Sequence, residues 1–220
     1  MNTNSNDQGR AYEYAWIRAL YEALVKSRTT SIAQNSSLEA NRKAWNNIST
    51  DMQTTFMISA DSAIDMLIEL EPRMAEKEND ILTLAFQKDG EGIKGDVRDI
   101  VIKREGINWE IGLSIKHNHE AVKHSRLSKR LDFGEEWFGI PCSKEYWNAV
   151  NDIFNRLENE KIKGTKWSEL CDKSGTVYVP LLQAFMDEIK RSYSKDCTVP
   201  KKLVEYLIGV KDYYKIVSQD

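Results

Sequence analysis

Apolar residues recur at helical spacing near the start of the chain. Over residues 9–24 they fall three or four positions apart, which predicts an amphipathic helix. Two further helices are predicted over residues 37–48 and 61–70, with Asp61 as the N-cap of the second. Glu71-Pro72 should end that helix, because the residue before proline avoids helical geometry. The chain therefore begins with a helix-rich segment.

Three short segments rich in β-forming residues follow this start. They cover residues 81–88, 97–103 and 108–116, and a turn at Glu105-Gly106 should join the last two as an antiparallel hairpin. In the last strand, side chains alternate between two faces. The apolar face carries Trp109, Ile111, Leu113 and Ile115, and the opposite face carries Glu110, Gly112, Ser114 and Lys116. One face should pack against the core, which leaves the other for chemistry.

The second half of the chain returns to helical spacing. Helices are predicted over residues 119–131, 143–161, 177–191 and 199–208. Helices, then three strands, then helices indicate an α/β or α+β fold, with a mixed sheet flanked by helices and a largely helical C-terminal part. The turn at residues 138–141 suggests a division into 1–138, carrying the hairpin, and 139–220, a helical region packed on it.

Composition narrows the class of protein. The chain has 220 residues, 41% hydrophobic and 30% charged, as expected for one globular unit with at most a small subdomain. Three widely spaced cysteines indicate neither a disulfide framework nor a zinc ribbon. No apolar run reaches the roughly 18 residues of a membrane span, and the first residues lack the pattern of a signal peptide. We therefore expect a cytoplasmic protein without a membrane partner.

Charge is unevenly distributed along the chain. The formal net charge of -3 argues mildly against a nucleic-acid-binding protein. However, residues 116–130 carry five lysines and arginines against the single acid Glu120, and they hold all three histidines. On a helix over residues 119–131, Lys123, Arg126 and Arg130 would share one face and meet phosphates or base edges together. The candidate DNA-binding residues of this segment are His119, Lys123, His124, Arg126, Lys129 and Arg130.

Acidic groups and one lysine converge on the predicted hairpin. Asp99 precedes one strand, and Ser114-Ile115-Lys116 closes the next. Hydrolysis of a phosphodiester commonly uses a divalent metal held by carboxylate oxygens, together with a cation that orients the attacking water. Taken alone, Asp99 and Lys116 also fit a solvated strand end and an exposed lysine. The nearby acids and the basic segment that follows favour a nuclease.

These residues carry a resemblance to a known family. The segments 95–99, 109–119 and 121–127 resemble the HaeIII-type family of type II restriction endonucleases, and residues 9–15, 131–134 and 146–147 add to the likeness. The resemblance covers most of residues 9–147. It implies the PD-(D/E)xK nuclease fold, Mg²⁺-dependent cleavage of both DNA strands, and a GGCC target.

The resemblance also assigns roles to single residues. Asp99 matches the first metal-binding acid and Lys116 the lysine of the motif, whereas Ser114 stands where the superfamily pattern has Asp or Glu. Glu110, on the same strand face, is the first substitute as metal ligand and catalytic acid, although about 13 Å of strand separates it from Ser114. Asp96 and Glu13 are two other candidates for the second metal ligand. Glu13 resembles a helix glutamate found in many members of the superfamily.

The leading hypothesis is thus a restriction endonuclease acting on double-stranded DNA. A palindromic target suggests a homodimer, although a monomer could cut the strands in turn. A cognate methyltransferase would act on the same sequence without needing to bind this chain. Two alternatives stay open: a structure-specific or repair nuclease on the same core, and a DNA-binding module without catalysis, which the serine at position 114 motivates.

Overall fold

The computed structural model describes residues 5–87, 96–118 and 125–219. They form two compact units, one built from the residues up to 118 together with 208–219, and the other from residues 125–207. The functional division placed after residue 138 stays a prediction, and that position falls inside the second unit. Among the described residues, no helix combines the length and the apolar character that crossing a membrane requires.

Three helices open the first unit. They are α1 (Ser5–Leu24), α2 (Ser36–Asn47) and α3 (Thr50–Leu70). The predicted start of the third helix at Asp61 is wrong: the helix begins eleven residues earlier, where the Ser49 hydroxyl accepts a hydrogen bond from the backbone N–H of Met52 at 3.3 Å. Phe56 and Ala60 extend its buried stripe, so packing overrides the weak helix propensity of the threonine-rich segment before them.

A five-stranded mixed sheet completes this unit, which confirms the expected α/β class. Its strands are β1 (Thr30–Ile32), β2 (Leu82–Phe86), β3 (Ile100–Arg104), β4 (Trp109–His117) and β5 (Tyr213–Ser218). They lie side by side in chain order. The two outer pairs, β1 with β2 and β4 with β5, are parallel, and the two inner pairs are antiparallel.

The predicted hairpin is confirmed as β3 and β4, with Ile100 opposite Leu113 and Ile102 opposite Ile111. A short 3₁₀ turn over Glu105–Ile107 joins them, and Asn108 closes it in the left-handed region with φ 50°. The apolar face of the hairpin packs into one core with the buried stripe of α1. The two parallel outer strands, β1 and β5, were not predicted from the sequence.

A buried arginine network holds the end of the sheet where β3 finishes. Arg104 is fully buried and donates to Asp80 at 3.0 Å and to Glu78 at 2.8 Å. Arg28 approaches the same Asp80 carboxylate at 2.5 Å. Buried charges are tolerated when they are paired and hydrogen-bonded in this way. The network is structural, and it lies at the opposite end of β3 from Asp99.

The second unit is helical. It contains α4 (Phe133–Phe138), α5 (Lys144–Ile162), α6 (Val179–Tyr193) and α7 (Val199–Ile208), which runs to the unit's edge. The helices predicted over 143–161, 177–191 and 199–208 are thereby confirmed within two residues at each end, whereas α4 was not predicted. The core of the second unit surrounds the fully buried Phe133. The ring centroid of Phe133 lies 5.1 Å from that of Tyr146 and 4.8 Å from that of Phe185.

The helix predicted over residues 119–131 is wrong for its described part. Residues 125–131 form no helix. Instead, the N–H of Leu131 donates to the Ser128 carbonyl at 3.2 Å, and the Asp132 side chain caps α4 by accepting from the N–H of Glu135 at 3.1 Å. Leu127 and Leu131 both pack against the core of the second unit. The segment is therefore a connection into α4, and its apolar residues serve that docking.

Candidate active site

Strand register brings Asp99 to the end of β4. The N–H of Asp99 donates to the Leu113 carbonyl at 2.7 Å, so Asp99 lies across from Ser114. Its Oδ2 accepts hydrogen bonds from the backbone N–H of Ile115 at 2.6 Å and from Nζ of Lys116 at 2.9 Å. The acid and the lysine that the sequence predicted as partners are thus in direct contact.

The Asp99 carboxyl group is hard to ionise in this setting. Burial raises its pKa, while the positive charge and the hydrogen bond of Lys116 act in the opposite direction, as does the N–H of Ile115. The Ser114 hydroxyl also lowers the pKa of Asp99, and it is buried without a well-aligned hydrogen bond to another described residue. Further positive charge at this point would stabilise the carboxylate.

Glu13 on α1 belongs to the same cluster. Burial and the charge of Asp99 raise the pKa of Glu13 to about 8, and Lys116 partly offsets them. Asn41 on α2 is buried and donates to Oε2 of Glu13 at 2.8 Å. Two buried carboxyl groups with raised pKa values next to one lysine are typical of a site that binds a cation.

Glu110 and Asp96 are engaged elsewhere. Arg98 donates to Glu110 at 3.1 Å and to Asp96 at 2.7 Å. Partial burial acts to raise the pKa of both carboxyl groups, but the contacts with Arg98 help to bring each pKa below its usual value. Glu110 lies opposite Lys103, four residues from Ser114, which corresponds to about 13 Å of strand. The structure thus places Glu13 close enough to Asp99 for their charges to interact, whereas Glu110 and Asp96 are ion-paired with Arg98.

The donor set fits a hard divalent cation. Glu13 and Asp99 supply carboxylate oxygens, and the buried Ser114 hydroxyl faces the same carboxylate. Within the described ranges, no group of three or more histidine, cysteine or acidic residues is arranged to hold a metal. Mg²⁺ commonly uses only one or two carboxylates and keeps several waters, so two acids suffice for it.

The predicted DNA-binding segment is described only in part. His119, Lys123 and His124 lie outside the described residues. Arg126, Lys129 and Arg130 are exposed, but they do not share a helical face, because their segment is not helical. Lys129 pairs with Glu158 at 3.1 Å, an exposed contact of little energetic weight. Their roles in DNA binding stay predictions.

Comparison with known proteins decides the family of this chain. A sequence model described as HaeIII restriction endonuclease matches residues 9–220. The chain belongs to the HaeIII restriction endonuclease family. It is also 46% identical, over 221 aligned residues, to the type II restriction enzyme HaeIII of Haemophilus aegyptius, an alignment that spans all of this chain and 69% of that relative. No solved structure matches the chain significantly.

Membership of the HaeIII restriction endonuclease family confirms the resemblance and extends it through the C-terminal region, where the sequence had suggested less. It also confirms the expected class of enzyme, a site-specific deoxyribonuclease. In this family member, Asp99 and Lys116 are in direct contact, and their catalytic roles stay predictions.

Sequence reasoning assigned no role to two residues that shape the site. Asn41 orients Glu13 through packing between α1 and α2, which leaves no local sequence signal. The Arg98 side chain lies against the backbone of Gly112 in β4, so closely that a Cβ on Gly112 would overlap the Cγ and Cδ atoms of Arg98. A glycine on the polar face of a strand is a signal of close approach by a neighbouring group. Arg98 therefore fixes the segment that leads into Asp99.

The Gly112→Ala variant tests this role. The added methyl group must displace the Arg98 side chain from its contacts with Asp96 and Glu110, so we expect a loss of about 1–3 kcal/mol in the free energy of unfolding and slower DNA cleavage. Urea unfolding and a cleavage time course measure both. Gly9→Ala in α1 is the control, since its methyl group would meet no described atom within 4 Å apart from its chain neighbours and the adjacent backbone of its own helix. Equal behaviour of the two variants would contradict the role of Arg98.

Proposed function

We propose that this restriction endonuclease uses Mg²⁺ to cut both strands of duplex DNA at the palindrome GGCC. The observation that carries the proposal is the cluster of Asp99, Lys116 and Glu13 in a member of this family. The target sequence rests on the resemblance alone. Family membership favours this function over a structure-specific nuclease and over a DNA-binding module without catalysis.

The PD-(D/E)xK core is part of the same proposal. An acid stands directly before β3, a lysine stands one residue before the end of the neighbouring β4, and α1 adds a glutamate beside them. These placements support the superfamily pattern with one change. Glu13 takes the place of the missing carboxylate at position 114, and we prefer it to Glu110 and Asp96 because Arg98 already engages both of those acids.

The residues divide the chemistry as follows. Asp99 and Glu13 would hold Mg²⁺, which when bound supplies positive charge for the phosphoryl oxygens and an acidified water. Lys116 orients the attacking water and offsets negative charge that develops on the phosphate. The N–H of Ile115 keeps the Asp99 carboxylate in place, and Asn41 does the same for Glu13. Ser114 contributes a hydroxyl beside Asp99.

The biological setting follows from this activity. Cleavage of both strands of a palindrome presents two equivalent sites, which favours a homodimer. A methyltransferase that modifies the same sequence would protect the host DNA without having to bind this chain. The restriction endonuclease itself would act in the cytoplasm, where the DNA to be cut is found.

Cleavage mapping tests the proposal directly. The purified protein is incubated with a plasmid of known sequence, with Mg²⁺ or with EDTA, and the fragment ends are sequenced. We expect discrete fragments that end at GGCC in Mg²⁺ and intact plasmid in EDTA. Ends at branched or damaged positions would instead indicate a structure-specific nuclease, and salt-sensitive binding without cleavage would indicate a DNA-binding module.

A further inference from the structure

Strand β5 presents two different faces. Tyr214 and Ile216 pack against the core of the first unit. Side chains alternate along a strand, so Tyr213, Lys215 and Val217 lie on the opposite face. In the parallel pairing, Lys215 is the register partner of Ser114. The outward face of β5 therefore continues the sheet surface on which Ser114 and Lys116 lie.

The environment of Tyr213 supports this placement. Tyr213 is the register partner of Gly112, and the charge of Lys116 acts on it to lower its pKa against the larger effect of burial. The effect of the Lys116 charge on Tyr213 agrees with strand alternation, which puts both side chains on the same side of the sheet. Asp99 lies opposite Ser114 and across β4 from Lys215, so it is about two strand spacings, roughly 10 Å, from the backbone of Lys215.

Lys215 is exposed and makes no ion pair with any described residue. It differs in this respect from Lys116, which pairs with Asp99, and from Lys211, which lies 3.4 Å from Glu110. Its long, flexible side chain ends in a compact ammonium group, a point charge suited to a phosphate. A lysine that makes no ion pair among the described residues, beside the cluster of Asp99 and Lys116, favours a polyanionic ligand at this edge of the sheet.

We propose that Lys215 binds a backbone phosphate of the DNA next to the phosphate that is cut, so that β5 forms one border of the DNA-binding surface. This inference rests on the proposed function, because it assumes that duplex DNA lies over Asp99 and Lys116. It adds a contact from a strand that sequence analysis did not predict. Its role is positioning, since Lys215 acts on the backbone beside the reacting group.

The test measures DNA affinity as a function of salt. Lys215→Ala and Lys215→Gln are compared with the wild type by fluorescence anisotropy on a GGCC duplex, with Ca²⁺ replacing Mg²⁺ to prevent cleavage. A lost phosphate contact should weaken binding about five- to tenfold at low salt and reduce the slope of log K against log salt by about 0.9. Lys215→Arg should retain the wild-type slope.

Lys26→Ala is the matched control. Lys26 is also exposed and makes no ion pair among the described residues. It precedes the start of β1, which lies at the same end of the sheet as Arg104 and therefore at the opposite end from Asp99. An unchanged salt slope for Lys215→Ala, with wild-type binding and cleavage intact, would overturn the inference alone. A wild-type protein that neither binds nor cuts the duplex would overturn the proposed function instead. Saturating DNA should restore the cleavage rate of Lys215→Ala but not that of a catalytic variant.

Discussion

Replacing Lys116 with alanine is expected to slow DNA cleavage by on the order of 10²–10³-fold without unfolding the protein. Lys116 is the cation in contact with Asp99, at 2.9 Å, and its charge lowers the pKa of that carboxyl group. Its loss removes a group that orients water and leaves Asp99 harder to ionise. Single-turnover cleavage at saturating DNA measures the chemical step, because it is independent of product release.

Lys103→Ala is the control for this variant. Lys103 is a half-exposed lysine on the neighbouring strand β3, and its ammonium group lies 3.9 Å from Glu110. We expect it to cleave DNA at close to the wild-type rate. If Lys116→Ala cleaved as fast as Lys103→Ala, the catalytic role of Lys116 would be wrong, although family membership would stand.

The pairing of Asp99 with Lys116 could be predicted because it depends on local structure. A short turn and strict alternation of side chains determine the register of a hairpin, and that register places Asp99 opposite Ser114. The same reasoning failed for Glu110. Residues four apart share a strand face, but they lie about 13 Å from each other, and the arginine that occupies Glu110 cannot be read from alternation.

Features that depend on distant segments were beyond local patterns. β5 pairs with β4, from which about one hundred residues separate it in sequence, so no short turn signals the pairing. Only one face of β5 packs on the core, so its sequence of tyrosine, lysine and isoleucine lacks a strong apolar run. The position of Glu13 depends on how α1 packs beside α2 and the sheet, so only the family resemblance pointed to it. The spacing of Lys123, Arg126 and Arg130 suggested a helix, but over residues 125–131 docking of Leu127 and Leu131 overrides that preference.

The Glu13→Gln variant should lose cleavage and at the same time make the metal-free protein more stable. Because the pKa of Glu13 is raised to about 8 in the folded state, from the usual 4.5, ionising it costs more in the folded chain than in the unfolded chain. The free energy of unfolding of the wild type therefore falls as pH rises from about 4.5 to about 8. Glutamine keeps the shape of the side chain and removes this cost, so the variant should gain stability over that window.

Urea unfolding in EDTA at pH 5, 7 and 8.5 measures this effect. The advantage of Glu13→Gln should grow with pH and reach a few kcal/mol at most, since one pKa unit corresponds to about 1.4 kcal/mol. Glu22→Gln, on the same helix, is the matched control. Glu22 is exposed and pairs with Arg18 one turn earlier, so its removal should change stability by less than about 0.5 kcal/mol at every pH.

Mg²⁺ affinity should depend on Glu13 in the opposite sense to stability, because the ionised carboxylate that destabilises the metal-free protein is the form that binds the metal. Mg²⁺ favours the ionised carboxylate, so at pH 7 the wild type should release a proton from Glu13 as it binds the metal, and its affinity should rise with pH up to about 8. Titration calorimetry in two buffers of different ionisation enthalpy measures the proton count. Glu13→Gln should bind Mg²⁺ weakly and with less proton release. A variant that is both less stable at pH 8.5 and unchanged in metal binding would remove Glu13 from the site and return Glu110 and Asp96 as candidates for the second carboxylate.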